Sequence, residues 1–353
     1  MRPLRIALVA SARHPIREPF AGGLEAHTWA LARALGERGH QVALFAGPGS
    51  DPRLNVRELA VREPRISRAA RADVSMTTPA SLAEHHAYLR LMLDLARGSG
   101  FDLVHNNSLH YLPIAMAAAL PMPVLTTLHT PPTPWLESAI QAPDPCPVVF
   151  SAVSGHTAHA WRHLVPRARV VPNGVDTGHW RPGPGGGPPI WYGRMVPEKG
   201  PHLAAEAARL AGSPLVLAGP VSDLDYFEAR VRPLLGDGVS YAGHLDRSDL
   251  ALLVGEASVA LATPCWDEPY GLTVAEALAC GTPVCAFARG ALPELLPADC
   301  GTLVPPGDAA ALARGIGATA RLSRERARAH AERHCSLTAM VDAYEDLYRE
   351  LAA

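Results

Sequence analysis

The chain has 353 residues, of which 48% are hydrophobic and 19% are charged. A chain of this length favours two domains, and this composition supplies enough apolar side chains for a sizeable core. The formal net charge of −2, without any Lys/Arg-rich run, excludes an electrostatic case for nucleic-acid binding.

The first predicted element is a β-strand within MRPLRIALVA, residues 1–10. Secretion signals also begin with a basic residue and an apolar run, but this run has only strand length and lacks a small-residue cleavage site. The apolar stretch from Leu112 to Leu125 spans 14 residues, contains prolines and is too short to cross a bilayer. Six scattered cysteines without a Cys-x-x-Cys pair indicate reduced thiols, and we therefore expect a cytoplasmic protein.

Short apolar runs alternate with helical periodicity along the rest of the chain. They predict strands at residues 5–10, 40–47, 101–107, 123–129 and 147–154, and again at 189–195, 214–220, 238–244, 258–264 and 283–288. Between the two sets lies RPGPGGGPP (181–189), which predicts a loop or an interdomain linker. Apolar strands separated by helices are typical of parallel sheets covered on both faces. We therefore predict two doubly wound α/β domains with a ligand cleft at the carboxyl ends of the strands.

Two glutamates flank a predicted helix start in CWDEPYGLTVAEALACGTPV, residues 265–284. Glu268 lies in the loop after a strand, and Glu276 lies in the first turns of a helix that begins near Leu272. A helix start offers free N–H groups with partial positive charge, which suit a phosphate. Glu276 could chelate a vicinal diol and Glu268 a second polyol; equally, Glu276 could merely complement the helix dipole.

The only lysine among the 32 Lys and Arg residues is Lys199, in GRMVPEKG. Arg194, in the same segment, offers a planar fork and Lys199 a compact charge, and both suit phosphate oxygens. By contrast, arginines on the charged C-terminal helices, such as Arg324, are expected to tolerate exchange to lysine. Gly22 and Gly23, after the first strand, let backbone approach an anion closely, although a Gly-Gly turn needs no ligand.

Taken in order, GGLEAH (22–27), VPNGVD (171–176), GRMVPEKG and the Glu-x7-Glu pair resemble the retaining glycosyltransferases of the GT-B fold, which use nucleotide-activated sugars. The resemblance covers nearly the whole chain. It implies two Rossmann-like domains facing a deep cleft: an acceptor-side domain at 1–175 and a donor domain at 176–335. A last helix at 336–353 would cross back to the first domain.

The same resemblance implies an activity. The enzyme would be a metal-independent hexosyltransferase that needs no cofactor. It would move a sugar from a UDP- or GDP-type donor to the hydroxyl of a small-molecule, glycan or lipid-linked acceptor, retaining the anomeric configuration. No enzymic base is evident, and the resemblance suggests that the departing phosphate takes the proton.

The resemblance also implies roles for individual residues. Arg194 and Lys199 would hold the donor diphosphate, Glu276 the ribose hydroxyls and Glu268 the donor sugar. His129, which ends the strand VLTTLH, would contact the donor sugar, although by itself a strand-end histidine more often bonds to backbone. The implied catalytic residues are His129, Arg194, Lys199 and Glu268; the implied donor-binding residues are Gly22, Gly23, Arg194, Lys199, Glu268, Tyr270, Gly271, Leu272, Thr273 and Glu276.

The acceptor side is the part that the resemblance supports least. The segment TPPTPWLESAIQAPDPCP (130–147) predicts a proline-rich loop in place of a clear helix. Trp135 within it could stack on an acceptor ring, but an ordinary packed loop tryptophan is the expectation.

Two further patterns suggest metal ligands but have a simpler interpretation. Asp223 and Asp225 open a predicted helix, so capping and dipole complementation explain them better than a metal pair. His156, His159 and His163 have helical spacing, but no carboxylate or cysteine joins them, and we expect partial burial.

Two other functions are weighed against sugar transfer. Lys199 could form a Schiff base with pyridoxal phosphate, as in the related phosphorylases, but those chains are far longer. The chain could also be a catalytically weak nucleotide-sugar-binding partner protein, which the intact donor-side segments disfavour.

Overall fold

The structure, a computed structural model, describes residues 2–98 and 100–353. Within them the chain forms two α/β domains, each around its own parallel sheet. The first sheet has seven strands in the order β3-β2-β1-β4-β5-β6-β7: β1 (Arg5–Val9), β2 (Gln41–Ala46), β3 (Val56–Glu58), β4 (Leu103–Asn106), β5 (Val124–Leu128), β6 (Val148–Ala152) and β7 (Arg169–Val170). The second has six in the order β10-β9-β8-β11-β12-β13: β8 (Ile190–Tyr192), β9 (Leu215–Ala218), β10 (Val239–Tyr241), β11 (Ala260–Ala262), β12 (Val284–Phe287) and β13 (Gly301–Val304). The predicted pair of doubly wound domains is confirmed.

Helices connect the strands of both sheets. The first domain contains α1 (Gly23–Glu37), α2 (Arg68–Arg71), α3 (Pro79–Ala96), α4 (Leu112–Ala115), α5 (Pro134–Gln141) and α6 (Gly155–Trp161). The second contains α7 (Pro201–Ala211), α8 (Leu224–Tyr226), α9 (Arg247–Glu256), α10 (Leu272–Ala279), α11 (Leu292–Leu295), α12 (Ala309–Thr319) and α13 (Arg324–His334), and the chain ends in α14 (Leu337–Ala352). No helix in the described part of the chain is long and apolar enough to cross a membrane.

The first sheet is buried on both faces, as its uninterrupted apolar strands predict. In β1, Ile6 and Leu8 point into one apolar cluster, and Ala7 and Val9 point into another. All four are fully buried. Because side chains alternate along a strand, such a strand needs apolar residues at every position rather than at every second one.

The last helix packs against the first domain rather than the second. It begins at Leu337, after Ser336, whose side chain accepts from the Ala339 N–H and caps the first turn. It buries residues that recur on one face, namely Met340, Val341, Tyr344, Leu347 and Tyr348. This spacing of three and four residues is that of an amphipathic helix. The helix therefore covers the apolar cluster that includes α1 and one face of β1.

The chain crosses between the domains twice, and the two crossings lie side by side. The Val175 N–H donates to the Cys335 carbonyl at 2.7 Å, and the Leu337 N–H donates to the Val175 carbonyl at 2.9 Å. Position 174, where the two segments meet, accepts only glycine, because a Cβ there would lie 2.6 Å from the Leu337 Cα. The glycine of VPNGVD thus serves the close approach of the two crossing segments.

The prediction of a proline-rich loop without a helix at residues 130–147 is wrong, since α5 occupies Pro134–Gln141. Proline at the first helical position loses no hydrogen bond and has a suitable φ, so the prolines precede this helix rather than prevent it. The helix buries Leu136, Ala139 and Ile140. The expectation of a packed Trp135 is also wrong, because 68% of this residue is exposed.

The segment at 181–189 is a loop held against the second domain by Arg324. The guanidinium of Arg324 donates to the carbonyls of Gly255 at 2.7 Å, Ala257 at 3.0 Å and Cys280 at 3.1 Å, and to that of Gly183 at 3.3 Å. A planar fork serves several acceptors at once, whereas an ammonium on a flexible stem does not. The expectation that Arg324 tolerates exchange to lysine is therefore revised.

We predict that Arg324→Lys lowers the free energy of unfolding by about 1–3 kcal/mol, because buried carbonyls lose charge-assisted hydrogen bonds. Thermal or urea unfolding measures this. The exposed Arg314, on α12, gives the matched control, and Arg314→Lys should leave stability unchanged. Equal stability of the two variants would show that the Arg324 fork is dispensable.

Candidate functional site

The carboxyl edges of the two sheets border one cleft. The strand order reverses between β1 and β4 in the first sheet and between β8 and β11 in the second, and ligands of doubly wound sheets bind outside such reversals. The loops after these four strands line a cavity of about 330 Å³, together with the start of α10. Its size is within the range of small-molecule sites.

Two glycines at the start of α1 let the domains approach each other across this cleft. A Cβ on Gly22 would lie 3.6 Å from the Arg194 side chain, and a Cβ on Gly23 would lie 3.0 Å from Leu272 Cδ1. The loop of the first domain therefore faces both Arg194 and the start of α10. The structure brings together three segments that are about 170 and 250 residues apart in the chain.

The N-terminus of α10 opens into the cleft and has free donors. Gly271 precedes it with φ 101°, and a Cβ there would lie 2.5 Å from Leu292 Cδ2, so only glycine fits. The backbone N–H groups of Leu272 and Thr273 donate to no described residue. Such groups carry partial positive charge, and the turn can accept an anion.

Lys199 and Glu268 form an ion pair at the cleft wall. Lys199 Nζ lies 2.6 Å from Glu268 Oε2, and the same oxygen accepts from Trp266 Nε1 at 3.0 Å. The ammonium also lies 5.1 Å from the centre of the Trp266 ring. The two residues that sequence analysis assigned to the diphosphate and to the sugar thus contact each other directly. The guanidinium of Arg194 makes a looser pair with Glu198, at 3.5 Å.

The loops that carry this pair are fixed by close backbone contacts. Thr263 Oγ1 donates to the Gly200 carbonyl at 2.8 Å and lies 3.1 Å from the Lys199 carbonyl. It accepts from Trp191 Nε1 at 2.9 Å. Gly290 has φ 62°, and a Cβ there would lie 2.2 Å from the Glu268 N. Both loops are therefore closely packed against neighbouring backbone.

Glu276 lines the cleft on α10, and burial raises the pKa of its carboxyl to about 8, while the charge of Arg247 opposes that rise. No described residue donates a hydrogen bond to this carboxyl. Arg247 is also largely buried, with 12% of its side chain exposed, and burial lowers its pKa. Its guanidinium lies 4.0 Å from the Glu18 carboxylate of the first domain. A desolvated carboxyl that accepts no hydrogen bond, near a desolvated guanidinium whose partners are Glu18 and the Trp29 ring, indicates a site that awaits polar ligand atoms.

We predict that nucleoside diphosphate binding tightens as pH rises toward 8. Below its pKa, Glu276 is protonated and can offer a diol only one good acceptor, whereas the ionised form offers two. If only the ionised form binds, the dissociation constant falls by up to about tenfold per pH unit below 8 and is constant above it. Calorimetric titration of UDP and GDP between pH 6 and 9 measures this. The same slope in Glu276→Gln would assign the pH dependence to the phosphates instead.

His129 lies at the end of β5 and lines the cavity. Its Nε2 is 2.8 Å from Asn107 Oδ1, and its ring meets that of His27 edge to face at 4.9 Å. Burial, with smaller contributions from His27 and His105, holds the pKa of His129 well below its usual value. The imidazole is therefore neutral near pH 7 and serves as a hydrogen-bonding group rather than as a charge.

Tyr270 contributes only its backbone to the cleft, because its ring packs in the core of the second domain. The preceding residue, Pro269, connects the two domains through hydrogen bonds to its carbonyl. Ser154 Oγ and Thr157 Oγ1, at the start of α6, donate to the Pro269 carbonyl at 2.6 and 3.1 Å. The loop that carries Glu268 is therefore held by both domains.

The two patterns that suggest metal ligands have structural roles. Asp223 Oδ1 accepts from the Tyr226 N–H at 2.9 Å, which is the predicted cap of α8. The expectation of partial burial is wrong for His159 and His163, which are exposed, and a carboxylate does join His163, since Glu137 lies 2.8 Å away. The described residues contain no group of three or more His, Cys, Asp or Glu arranged to hold a metal ion.

Sequence reasoning missed Arg247, Trp266 and the supporting Thr263. Trp266 lies two residues before Glu268, and Thr263 lies in the predicted strand 258–264 just before that segment. Their closeness to Glu268 in the sequence is a signal that could have identified both. Arg247 follows β10 at the same sheet edge as the other site residues, but its burial depends on Glu18 and Trp29 of the other domain. No local pattern reveals such a contact.

Two glycosyltransferase domain families match the chain. The glycosyltransferase family 4 domain matches residues 21–179, and the glycosyl transferases group 1 domain matches residues 190–333. The chain is 27% identical to the glycogen synthase of Mycobacterium tuberculosis over 89% of this chain and 85% of that protein. It is 29% identical to the MMP alpha-(1->4)-mannosyltransferase of Mycolicibacterium hassiacum, over 89% of each.

Solved structures share the fold over the whole chain. Sucrose-phosphate synthase from Thermosynechococcus elongatus superposes with a TM-score of 0.78 at 22% identity, covering 99% of each chain. HepE from Anabaena, in complex with UDP and glucose, superposes with a TM-score of 0.77 at 18% identity, covering 99% of this chain and 100% of that one. The two matched domains together span most of the sequence, and both sheets and the cleft between them are those of this fold. The chain belongs to the GT-B glycosyltransferases, which transfer sugars from nucleotide-sugar donors.

Proposed function

We propose that this enzyme transfers a hexose from a nucleoside-diphosphate sugar to an acceptor hydroxyl, with retention of anomeric configuration and without a metal ion. The observation that carries the proposal is the meeting, in one cleft, of Arg194, Lys199 and the free N–H groups of α10 with the unpaired carboxyl of Glu276. These are the groups that a diphosphate next to a ribose requires. The glycogen synthase and mannosyltransferase relatives support a hexose as the transferred sugar.

Arg194, Lys199 and the α10 N-terminus would stabilise the leaving diphosphate. When the bond between the sugar C1 and the phosphate oxygen breaks, its electron pair stays on that oxygen and negative charge develops there. Positive groups already fixed in place stabilise this charge without reorganisation. Arg194, with its loose pair at 3.5 Å, is free to turn toward the phosphates.

Glu268 and His129 would orient the donor sugar. Glu268 is held by Lys199 and Trp266, so its second oxygen is presented at a fixed position. Neutral His129, whose Nε2–H donates to Asn107 Oδ1, would accept a hydrogen bond from a sugar hydroxyl through its other ring nitrogen. Each contact would align the sugar for attack at C1.

Retention follows from where the acceptor proton can go. His129 is a poor base, since its pKa lies well below the usual value. Oε2 of Glu268 already accepts from two donors, and in this proposal its other oxygen contacts the donor sugar. The departing phosphate oxygen is then the best acceptor for the proton. This requires the acceptor to approach from the same face as the leaving group, and the new bond to C1 forms on that face.

We predict that transfer does not require a divalent cation, because side chains and a helix N-terminus neutralise the diphosphate. Release of UDP or GDP, measured over a panel of UDP- and GDP-sugars with simple glycoside acceptors, should be unchanged by excess EDTA. Proton NMR of the product should show the anomeric configuration of the donor. Loss of activity in EDTA that Mg²⁺ or Mn²⁺ restores would refute metal independence, and an inverted product would refute retention.

A further inference from the structure

Four aromatic rings of the first domain form a continuous stack that runs from the core to the surface. The ring centres are 4.3 Å apart for Tyr88 and His110, 4.7 Å apart for His110 and Tyr111, and 5.3 Å apart for Tyr111 and Trp135. The angles between the ring planes are 21°, 19° and 21° in the same order. The Tyr111 hydroxyl lies 3.0 Å from His85 Nδ1, which fixes its ring. Near-parallel stacking at these distances makes the stack rigid and leaves one open face, on Trp135.

Trp135 is not part of the face by which its helix packs on the domain. Helix α5 buries Leu136, Ala139 and Ile140, and Trp135 lies outside that face. Among the exposed large apolar side chains of the described residues, Trp135 is the only aromatic one. An exposed tryptophan held flat by a second ring is typical of a binding surface rather than of a core.

The stack adjoins the donor cleft. Tyr111 and Trp135 follow β4 and β5, at the same carboxyl edge of the sheet as His129. Leu109, the residue before His110, lines the donor cavity. At its inner end, the Tyr88 hydroxyl donates to the Ala10 carbonyl at 2.8 Å and accepts from the Ala12 N–H at 3.0 Å, in the loop after β1.

We propose that Trp135, supported by Tyr111, is an acceptor subsite that binds a pyranose ring of a glycan acceptor, one or more units away from the hydroxyl that is glycosylated. This inference rests on the proposed function. The subsite lies beside the reacting centre rather than in it, so it favours an acceptor longer than a monosaccharide. It acts through binding and not through the chemical step.

The surroundings of the stack favour a sugar over an acyl chain. A pyranose has an apolar C–H face that packs on an aromatic ring and a rim of hydroxyls that needs hydrogen-bond partners. Arg13 pairs with Glu84 at 3.5 Å near the inner part of the stack. Burial, with contributions from His85 and Arg13, lowers the pKa of His110 to about 4. An acyl chain that followed the stack inward from Trp135 would have to desolvate the pair of Arg13 and Glu84, whereas sugar hydroxyls can bind to it.

Binding of maltotriose and isomaltotriose to the full chain tests the subsite, by saturation-transfer NMR and calorimetry. We expect saturation of their ring protons in the wild type and a dissociation constant about 3- to 30-fold higher in Trp135→Ala, the range for loss of one stacked aromatic. Trp135→Phe should recover part of the affinity. Leu210→Ala removes a similarly exposed apolar side chain, on α7, and should change nothing.

The outcomes separate this inference from the proposed function. Absence of trisaccharide binding, or equal affinity in Trp135→Ala and the wild type, overturns the subsite. Loss of UDP or GDP affinity in Trp135→Ala also overturns it, since the stack would then bind the donor base. Failure of the wild type to bind UDP and GDP at all would instead overturn the proposed function.

Discussion

Lys199→Arg is expected to lower turnover about 10- to 1,000-fold, although the positive charge is kept. The Lys199 ammonium fits between Glu268 Oε2, at 2.6 Å, and the face of Trp266. Arginine is longer and planar and donates as a fork, so it cannot occupy the same point without displacing Glu268. The backbone cannot compensate, because a Cβ on the next residue, Gly200, would already lie 2.3 Å from the Thr263 carbonyl oxygen.

The loss should appear in turnover as well as in donor binding, since the contact strengthens as charge develops on the diphosphate. Lys199→Ala should be at least as damaging, because it leaves the Glu268 carboxylate with Trp266 as its remaining partner. Arg314→Lys, on the exposed side of α12, controls for the exchange itself. Steady-state kinetics with the true donor decide the matter, and near wild-type rates for both Lys199 variants would mean that the lysine has no role.

Glu276→Ala is expected to weaken donor binding, whereas Glu268→Ala mainly lowers turnover. Two charge-assisted hydrogen bonds from the ribose to Glu276 are worth roughly 1.5–3 kcal/mol each. One tenfold change in affinity corresponds to about 1.4 kcal/mol, so the two bonds together predict a loss of at least about 100-fold above pH 8, where Glu276 is ionised. Glu268 contacts the sugar in our proposal, and its removal should leave UDP and GDP affinity near that of the wild type.

The two variants control for each other, because both remove a carboxylate from the same cleft. Calorimetry with UDP and GDP separates nucleotide binding from sugar contacts, and kinetics with the sugar nucleotide then reports turnover. Unchanged nucleotide affinity in Glu276→Ala removes the ribose assignment. Equal losses of nucleotide affinity in both variants would show that the cleft charge as a whole, rather than one contact, binds the donor.

The fold was largely predictable because its determinants are local. Each buried strand is an apolar run bounded by turn residues, and Ile6 to Val9 show why every position must be apolar. The loop predicted at 130–147 failed for a local reason as well: prolines end helices in the interior but begin them at the first position, and Pro134 occupies that position.

The proximity of the candidate site residues was predictable, but their contacts were not. The strand-loop-helix arrangement places Arg194, Lys199 and Glu268 at one sheet edge, so their proximity follows from topology. The ion pair of Lys199 with Glu268 depends on Thr263 and Gly290, which bring the two loops within hydrogen-bonding distance. Long-range packing of this kind has no signature within a sequence window.

Binding of a nucleotide-sugar diphosphate in this cleft can be tested by calorimetric titration of UDP and GDP, compared with uridine and guanosine. A diphosphate site in this cleft predicts that the diphosphate of the preferred base binds at least about tenfold more tightly than its nucleoside. It also predicts that this difference shrinks in the variant carrying both Arg194→Ala and Lys199→Ala. Equal affinity for nucleoside and diphosphate in the wild type, or a difference that the double variant keeps, would contradict it.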